Sequence, residues 1–139
     1  MSEPAKPFIW PIRVYYEDTD LGGVVQHAQY VKFLERARTE WLRSGGIEQD
    51  RLMREEAILF VVTHVDIRYR RPARFNDTLQ VSVAPAQSSR TRFVCEQKIA
   101  RTAAPTEPLV LAAVEIACVD QPSFRARPLP PVLLARMES

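Results

Sequence analysis

The sequence predicts an α+β fold in which one long helix packs into a curled antiparallel sheet of about five strands. One long stretch has helical spacing, and four strand-like segments follow it one after another. No helical pattern separates those strands, so no crossover helix is available and the strands should pair antiparallel. A chain of 139 residues, 46% of them apolar, is long enough for one domain over residues 1–139.

The amino-terminal half contributes the first strand, a turn and the helix. The segment "FIWPIRVYY" from Phe8 to Tyr16 is β-branched and aromatic with an early proline, which is typical of an edge strand. A Gly22–Gly23 turn follows it. The helix is predicted from about His27 to Ser44, where Gly45–Gly46 ends it. Its apolar residues recur with helical spacing: Tyr30, Phe33, Leu34, Ala37, Trp41 and Leu42.

The remaining strands follow a short polar connection that contains one helical turn at Gln49 to Arg54. The strand-like segments are Val61 to Tyr69, "TLQVSVAPA", "RFVCEQKIAR" and "LVLAAVEIACVD". Breaks are predicted at Pro72 to Asp77, Pro85 to Arg90 and Arg101 to Pro108. The tail ends in "VLLARM", which predicts an irregular segment or a turn of helix.

Composition excludes several classes of protein. A net charge of +2 is too small to indicate nucleic-acid binding. The start lacks an apolar stretch long enough for a signal peptide, and no later stretch is long enough to cross a membrane, so a cytoplasmic protein is expected. Cys95 and Cys118 both fall in apolar strands, which indicates buried thiols rather than a disulfide framework or a metal site.

The acidic stretch "EDTDLGGVVQH" was compared with a calcium-binding loop. Asp18 and Gly23 occupy the first and sixth positions of such a loop. The fifth position is Gly22, however, and the twelfth, which should be a bidentate glutamate, is Gln29. We therefore expect no metal there.

Two interpretations of the aspartates remain. Aspartate near a helix start commonly serves the turn or caps the helix, and we expect this of Asp18. Asp20 could do the same, or it could act chemically. A carboxylate beside a glycine turn and free helix-start N–H groups suits acyl transfer, because the N–H groups polarise a carbonyl while the carboxylate attacks it or activates water. A thiolate is a good leaving group, so a thioester would need neither a serine–histidine pair nor a metal.

Residues 13–43, "RVYYEDTDLGGVVQHAQYVKFLERARTEWLR", resemble the active-site signature of the hotdog-fold acyl-CoA thioesterases. The resemblance is to the YbgC branch of the 4-hydroxybenzoyl-CoA thioesterase family, and "IRYRRPARFND" resembles that family's strand after the helix. It implies a long helix wrapped by an antiparallel sheet. It also implies hydrolysis of an acyl-CoA or acyl-carrier-protein thioester with no cofactor, since coenzyme A is part of the substrate.

The same resemblance assigns roles within the turn. Asp20 matches the catalytic carboxylate, and the helix-start backbone near His27 matches the element that polarises the thioester carbonyl. His27 itself either faces the substrate or is satisfied by backbone contacts. Gly22 and Gly23 let the backbone approach a ligand closely.

Two further positions bear on the acyl pocket. Tyr16 matches a tyrosine that either lines the pocket or packs in the core. Gln26 stands where relatives often carry an aromatic residue, which implies a more polar pocket here.

Arginine supplies sixteen of the nineteen basic residues. Arginine forks bind phosphate well, and the resemblance places Arg90 and Arg92, together with Arg125 and Arg127, where relatives bind coenzyme A. The alternative is a solvated basic face. "RYRRPAR" is expected to be structural or to lie at an interface, and His64 to be a non-catalytic residue of the sheet.

The resemblance further implies a homodimer or homotetramer with active sites between subunits. Two other functions compete with thioester hydrolysis. One is an acyl-thioester hydratase of the same fold, whose motifs are absent. The other is a non-catalytic binding module for acyl-carrier protein or for lipid-synthesis and cell-envelope partners. Neither nucleic acid nor an integral membrane contact is expected.

Overall fold

The computed structural model describes residues 6–138. Its strands are β1 (Phe8–Arg13), β2 (Ile58–Tyr69), β3 (Thr78–Ser88), β4 (Arg92–Arg101) and β5 (Pro108–Asp120). Its helices are α1 (His27–Ser44), α2 (Gln49–Glu56) and α3 (Pro131–Glu138), and a short 3-10 turn spans Tyr16–Asp18.

The five strands form one sheet in the order β1-β3-β4-β5-β2. All neighbouring strands pair antiparallel, as predicted. The two edges are therefore β1, which carries Pro11, and β2. Proline lacks the N–H that a central strand needs, so its place in an edge strand is the expected one.

Helix α1 has the predicted bounds and packs its apolar face against the sheet. The buried residues of this face are Tyr30, Phe33, Leu34, Ala37, Trp41 and Leu42. Alternate residues of the strands complete the core, among them Leu79, Val81, Phe93, Val110 and Val114. The helix ends because Gly46 adopts a φ of 86°, a left-handed conformation that favours glycine.

Two predicted strand boundaries were wrong. The first strand ends at Arg13, because the chain then enters the 3-10 turn that spans Tyr16–Asp18. The predicted break at Pro85 does not occur, and β3 continues to Ser88 with a register shift between Pro85 and Gln87. Proline is tolerated there because β1 begins at Phe8, opposite Val83, so within residues 6–138 no strand pairs with the β1 side of β3 beyond Val83.

The connection between β2 and β3, residues 70–77, carries the chain from the β2 edge to the β1 side of the sheet. On the way it packs against the turn that precedes α1. The N–H of Val25 donates to the carbonyl of Ala73 at 2.9 Å, and the N–H of Asn76 donates to the carbonyl of Val14 at 2.9 Å. We call residues 70–77 the crossing segment.

The two cysteines are buried and unpaired with one another. Burial raises the pKa of the Cys95 thiol to about 12 and raises the pKa of Cys118 as well. No helix within residues 6–138 is long and apolar enough to cross a membrane.

Candidate active site

Asp18 is a buried structural residue of the acidic turn. Its Oδ2 accepts the N–H of Tyr15 at 2.8 Å, and its Oδ1 accepts the side-chain amide of Gln29 at 2.6 Å. Only 4% of its surface is exposed. The carboxylate therefore joins the 3-10 turn to the first turn of α1, which is the role expected from the sequence.

Asp20, two residues later, is exposed. An isolated antiparallel bridge between Thr19 and Val25 folds the chain back on itself, and the N–H of Asp20 donates to the carbonyl of Val24 at 2.9 Å. One carboxylate oxygen, Oδ1, accepts the N–H of Gly22 at 2.8 Å. These contacts hold the carboxylate while leaving its other oxygen available to a ligand.

A cleft of about 220 Å³ separates the start of α1 from the crossing segment. Asp20 stands on one wall, beside Gln26 and His27. The other residues that line the cleft are Val24, Val25, Tyr30, Tyr69, Arg70, Arg71 and Pro72. The structure thus brings together a carboxylate, the start of the long helix and two cations.

The first N–H groups of α1 are available to a ligand. Gln26 occupies the N-cap position, but its side chain donates to the carbonyl of Thr19 at 3.0 Å and does not cap the helix. Within residues 6–138 no hydrogen bond is recorded for the N–H groups of His27 and Ala28. Unpaired N–H groups and the positive end of the helix dipole favour a negative charge at this point.

Aromatic contacts fix the position of the helix start. The rings of His27 and Tyr69 are 4.8 Å apart, and the Tyr69 hydroxyl donates to the carbonyl of His27 at 3.3 Å. The hydroxyl oxygen of Tyr30 accepts the N–H of Ala73 at 2.9 Å. Burial raises the pKa of Tyr30, so this hydroxyl stays protonated and structural.

Not every predicted site residue reaches the cleft. Tyr16 is 81% exposed and contacts Phe75 edge to face, with ring centroids 6.1 Å apart. Gly22 and Gly23 lie in the turn behind Asp20, and Gly23 adopts a φ of 76°. His64 is an exposed residue of β2, opposite Glu115 of β5.

The predicted coenzyme A arginines lie at the other end of the β2–β5 ladder. Arg127 donates to the carbonyl of Glu56 at 2.6 Å and pairs with Asp120 at 3.6 Å, beside the start of β2. Arg125 and Arg90 are exposed near the same end. The cleft lies at the carboxyl end of β2, so one chain does not place these arginines beside its own Asp20. Arg92 instead pairs with Glu115.

The sequence interpretation missed Arg70 and Arg71, which line the cleft. Arg71 forms a loose ion pair with Glu107 at 3.7 Å, and both arginines are exposed. The density of arginine in "RYRRPAR" was the available signal, but only the path of the crossing segment brings these two beside Asp20. Among the described residues no group of three His, Cys, Asp or Glu side chains could hold a metal.

Comparison with known proteins shows the family to which the chain belongs. The family model described as the Thioesterase-like superfamily matches residues 14–137. The chain belongs to this superfamily. Within it, the sequence is 43% identical over 131 residues to the acyl-CoA thioester hydrolase YbgC of Escherichia coli O6:H1, covering 94% of this chain and 96% of that protein. The predicted YbgC resemblance is thereby confirmed.

Solved structures of this superfamily have the same fold. A 1,4-dihydroxy-2-naphthoyl-CoA thioesterase from Synechocystis superposes with a TM-score of 0.89 at 25% identity, covering 96% of this chain and 97% of the other. A probable thioesterase from Bartonella henselae superposes with a TM-score of 0.83 at 36% identity, covering 90% and 100%. The predicted hotdog fold is confirmed.

Proposed function

We propose that this thioesterase-superfamily protein hydrolyses acyl-CoA thioesters, with Asp20 as the catalytic carboxylate. The observation that carries the proposal is the shared cleft, in which Asp20 stands beside the uncapped start of α1. Two features support it further: the exposed carboxylate is held in place by Gly22, and the YbgC relative carries the same activity in its name. A coenzyme A thioester as substrate agrees with the cytoplasmic location expected from the sequence.

In the proposed reaction the thioester carbonyl oxygen accepts hydrogen bonds from the backbone N–H groups of His27 and Ala28. Asp20 either attacks the carbonyl carbon or removes a proton from a water molecule that attacks it. The tetrahedral oxyanion is stabilised at the helix start. Its collapse breaks the carbon–sulfur bond, and the thiolate leaves and takes up a proton. The acid is then released, directly or after water cleaves an acyl-aspartate anhydride, and no cofactor takes part.

The remaining predicted residues are given supporting roles. The imidazole of His27 and the side-chain amide of Gln26 face the acyl group, while Gly22 and Gly23 keep the turn compact. Arg70 and Arg71 bind phosphate groups of coenzyme A at the cleft. Coenzyme A and acyl-carrier protein both remain candidate carriers.

We further propose that two copies pair antiparallel along β2. This strand is a free edge of the sheet, and its apolar residues Val62, Val65 and Tyr69 are 48%, 37% and 45% exposed. Long apolar edges are ready templates for pairing. Antiparallel pairing sets the amino-terminal end of one β2 opposite the carboxyl-terminal end of the other. Arg90, Arg125 and Arg127 then serve the neighbouring subunit, two such dimers forming a tetramer.

The test is release of thiol from a panel of acyl-CoA and acyl-carrier-protein thioesters. Asp20→Asn should lower kcat by about 10²–10⁴-fold, the usual contribution of a catalytic carboxylate. Asp50→Asn, an exposed residue of α2, is the matched control and should keep the parent rate. Buried Cys95, with its pKa of about 12, will not react with the thiol reagent near pH 8.

Two outcomes contradict the proposal. Equal rates for Asp20→Asn and the parent would remove Asp20 from the chemistry. Absence of thiol release from every thioester would favour a non-catalytic binding module.

A further inference from the structure

A second cavity, of about 110 Å³, lies between the carboxyl-terminal half of α1 and the sheet. Its apolar walls are Trp41, Leu42, Phe60, Val62, Phe93 and Ile116. It shares no lining residue with the cleft that holds Asp20. A space of this size admits several water molecules or a small organic group. Val62, one of its lining residues, lies on β2, an edge strand of the sheet.

One wall of this cavity carries a buried cation. Arg38 is only 8% exposed, and its Nη1 donates to Oε1 of Gln97 at 3.0 Å. The amide nitrogen of Gln97 donates in turn to the carbonyl of Leu34 at 3.0 Å, which orients the Gln97 oxygen toward the guanidinium. Arg38 is thus held in place by a neutral group.

The Glu35 carboxylate attracts this cation electrostatically but forms no ion pair with it. No ion pair is recorded for Arg38 within residues 6–138. Glu35, on the same cavity, is exposed and accepts the Thr39 hydroxyl at 3.2 Å. The Cys95 thiol is close but buried, and with a pKa raised to about 12 it is neutral. Burial lowers the pKa of Arg38, yet a guanidinium remains charged at neutral pH.

A buried charge that makes no direct ion pair is unfavourable. The best complement to a guanidinium is a carboxylate, which accepts two parallel hydrogen bonds. The apolar part of the wall can pack against a short hydrocarbon chain attached to that carboxylate, while Glu35, Thr39 and Gln49 line the polar remainder of the cavity.

We propose that this cavity binds short aliphatic carboxylates, with the carboxylate on Arg38 and the chain against the apolar walls. The carboxylate has two sources: the free acid that hydrolysis releases, or the far end of a dicarboxylic acyl group that enters from the neighbouring subunit's cleft. The second source rests on the proposed function and on pairing along β2. The chemistry at Arg38 is the same in both cases.

Calorimetric titration of the full-length protein tests the site without any turnover. Pentanoate and glutarate should bind, and pentanamide, which has the same shape but no charge, should bind at least tenfold more weakly. Arg38→Met should weaken pentanoate binding at least tenfold. Arg36→Met, an exposed neighbour on α1, is the matched control and should bind as the parent does.

Three results would overturn the proposal: no binding of either acid, equal binding of pentanoate and pentanamide, or unchanged binding by Arg38→Met. Arg38→Lys provides a second variant if Arg38→Met does not fold. Lysine keeps the positive charge, so the Arg38→Lys variant should retain part of the affinity for pentanoate. A lysine variant that folds but has lost all preference for pentanoate over pentanamide also counts against the site.

Turnover then separates the two sources. If the acyl group supplies the carboxylate, Arg38→Met lowers kcat/KM at least tenfold for glutaryl-CoA and leaves pentanoyl-CoA unchanged. If the released acid supplies it, both kcat/KM values stay unchanged and inhibition by pentanoate is lost. If the protein releases no thiol, only the proposed function is contradicted. The calorimetric titration still tests whether the cavity binds a carboxylate.

Discussion

Asp18 and Asp20 stand two positions apart in one turn, yet they have opposite environments. Asp18 is buried and uses both oxygens on Tyr15 and Gln29. Asp20 is exposed at a cleft and uses one oxygen on Gly22. Strand alternation does not explain this, because residues two positions apart in a strand share a face; Asp18 belongs to the 3-10 turn, whereas Asp20 lies beyond it, after the bridge residue Thr19. One substitution at each position should therefore separate stability from chemistry.

Asp18→Asn should lower the free energy of unfolding by about 1–3 kcal/mol, because the amide replaces one acceptor with a donor and leaves a buried group unpaired. Asp20→Asn should change it by less than about 0.5 kcal/mol, since the side chain is exposed and can still accept the Gly22 N–H. Urea denaturation of both variants measures the difference. Equal stabilities would show that the contacts of Asp18 contribute little.

At the scale of the element, the two glycines of the turn have different reasons to lack a side chain. A Cβ on Gly22 would lie 3.2 Å from Oδ1 of Asp20. A Cβ on Gly23 would meet nothing within 4 Å, but its backbone φ of 76° strains any other residue. Gly22 therefore protects the position of the carboxylate, and Gly23 protects the shape of the turn.

Alanine at each glycine tests this division. Gly22→Ala should lower kcat by about tenfold through a small displacement of Asp20, with little change in melting temperature. Gly23→Ala should lower the free energy of unfolding by about 1–2 kcal/mol, the usual penalty for left-handed backbone. Steady-state kinetics and thermal denaturation of the pair provide the measurements. A Gly22→Ala variant with the parent kcat would remove the steric argument.

Local pattern predicted most elements, because their signals are contained in neighbouring residues. The apolar spacing of α1 predicted both its ends, since Gly46 terminates it in the sequence itself. The predicted break at Pro85 was wrong because the tolerance of proline there depends on where β1 begins, at Phe8, almost eighty residues earlier in the chain.

Only one wall of the candidate site could be predicted from the sequence. Asp20 and His27 lie in one short motif, so the sequence places them together. Arg70 and Arg71 reach the cleft through the crossing segment, and no local pattern predicts which elements such a connection will contact. The coenzyme A arginines of the family pattern, such as Arg125, remain predictions, because they meet a cleft only if a second copy supplies it.

At the scale of the whole molecule, the open β2 edge determines assembly. Val65→Lys places a charge in the middle of this edge, where natural edge strands use lysine to prevent pairing. We expect the variant to be monomeric. It should also lose thioesterase activity, because a monomer lacks the arginines that the partner supplies to the cleft. Light scattering after gel filtration measures the mass of the particle.

Val132→Lys is the matched control, because Val132 of α3 is similarly exposed, at 41%, and lies far from β2 in the chain. It should keep the parent mass and rate. A Val65→Lys variant with the parent mass would exclude pairing along β2.

The crossing segment also has a consequence for biosynthesis. The carboxylate and the helix start leave the ribosome some fifty residues before the crossing segment does. A nascent chain at that stage has an acidic turn with no facing wall, no hydrogen bond from Ala73 to Tyr30 and no arginines beside the carboxylate. On the proposed mechanism, thioester cleavage is withheld until the crossing segment has packed against the acidic turn, so truncated translation products should be inert.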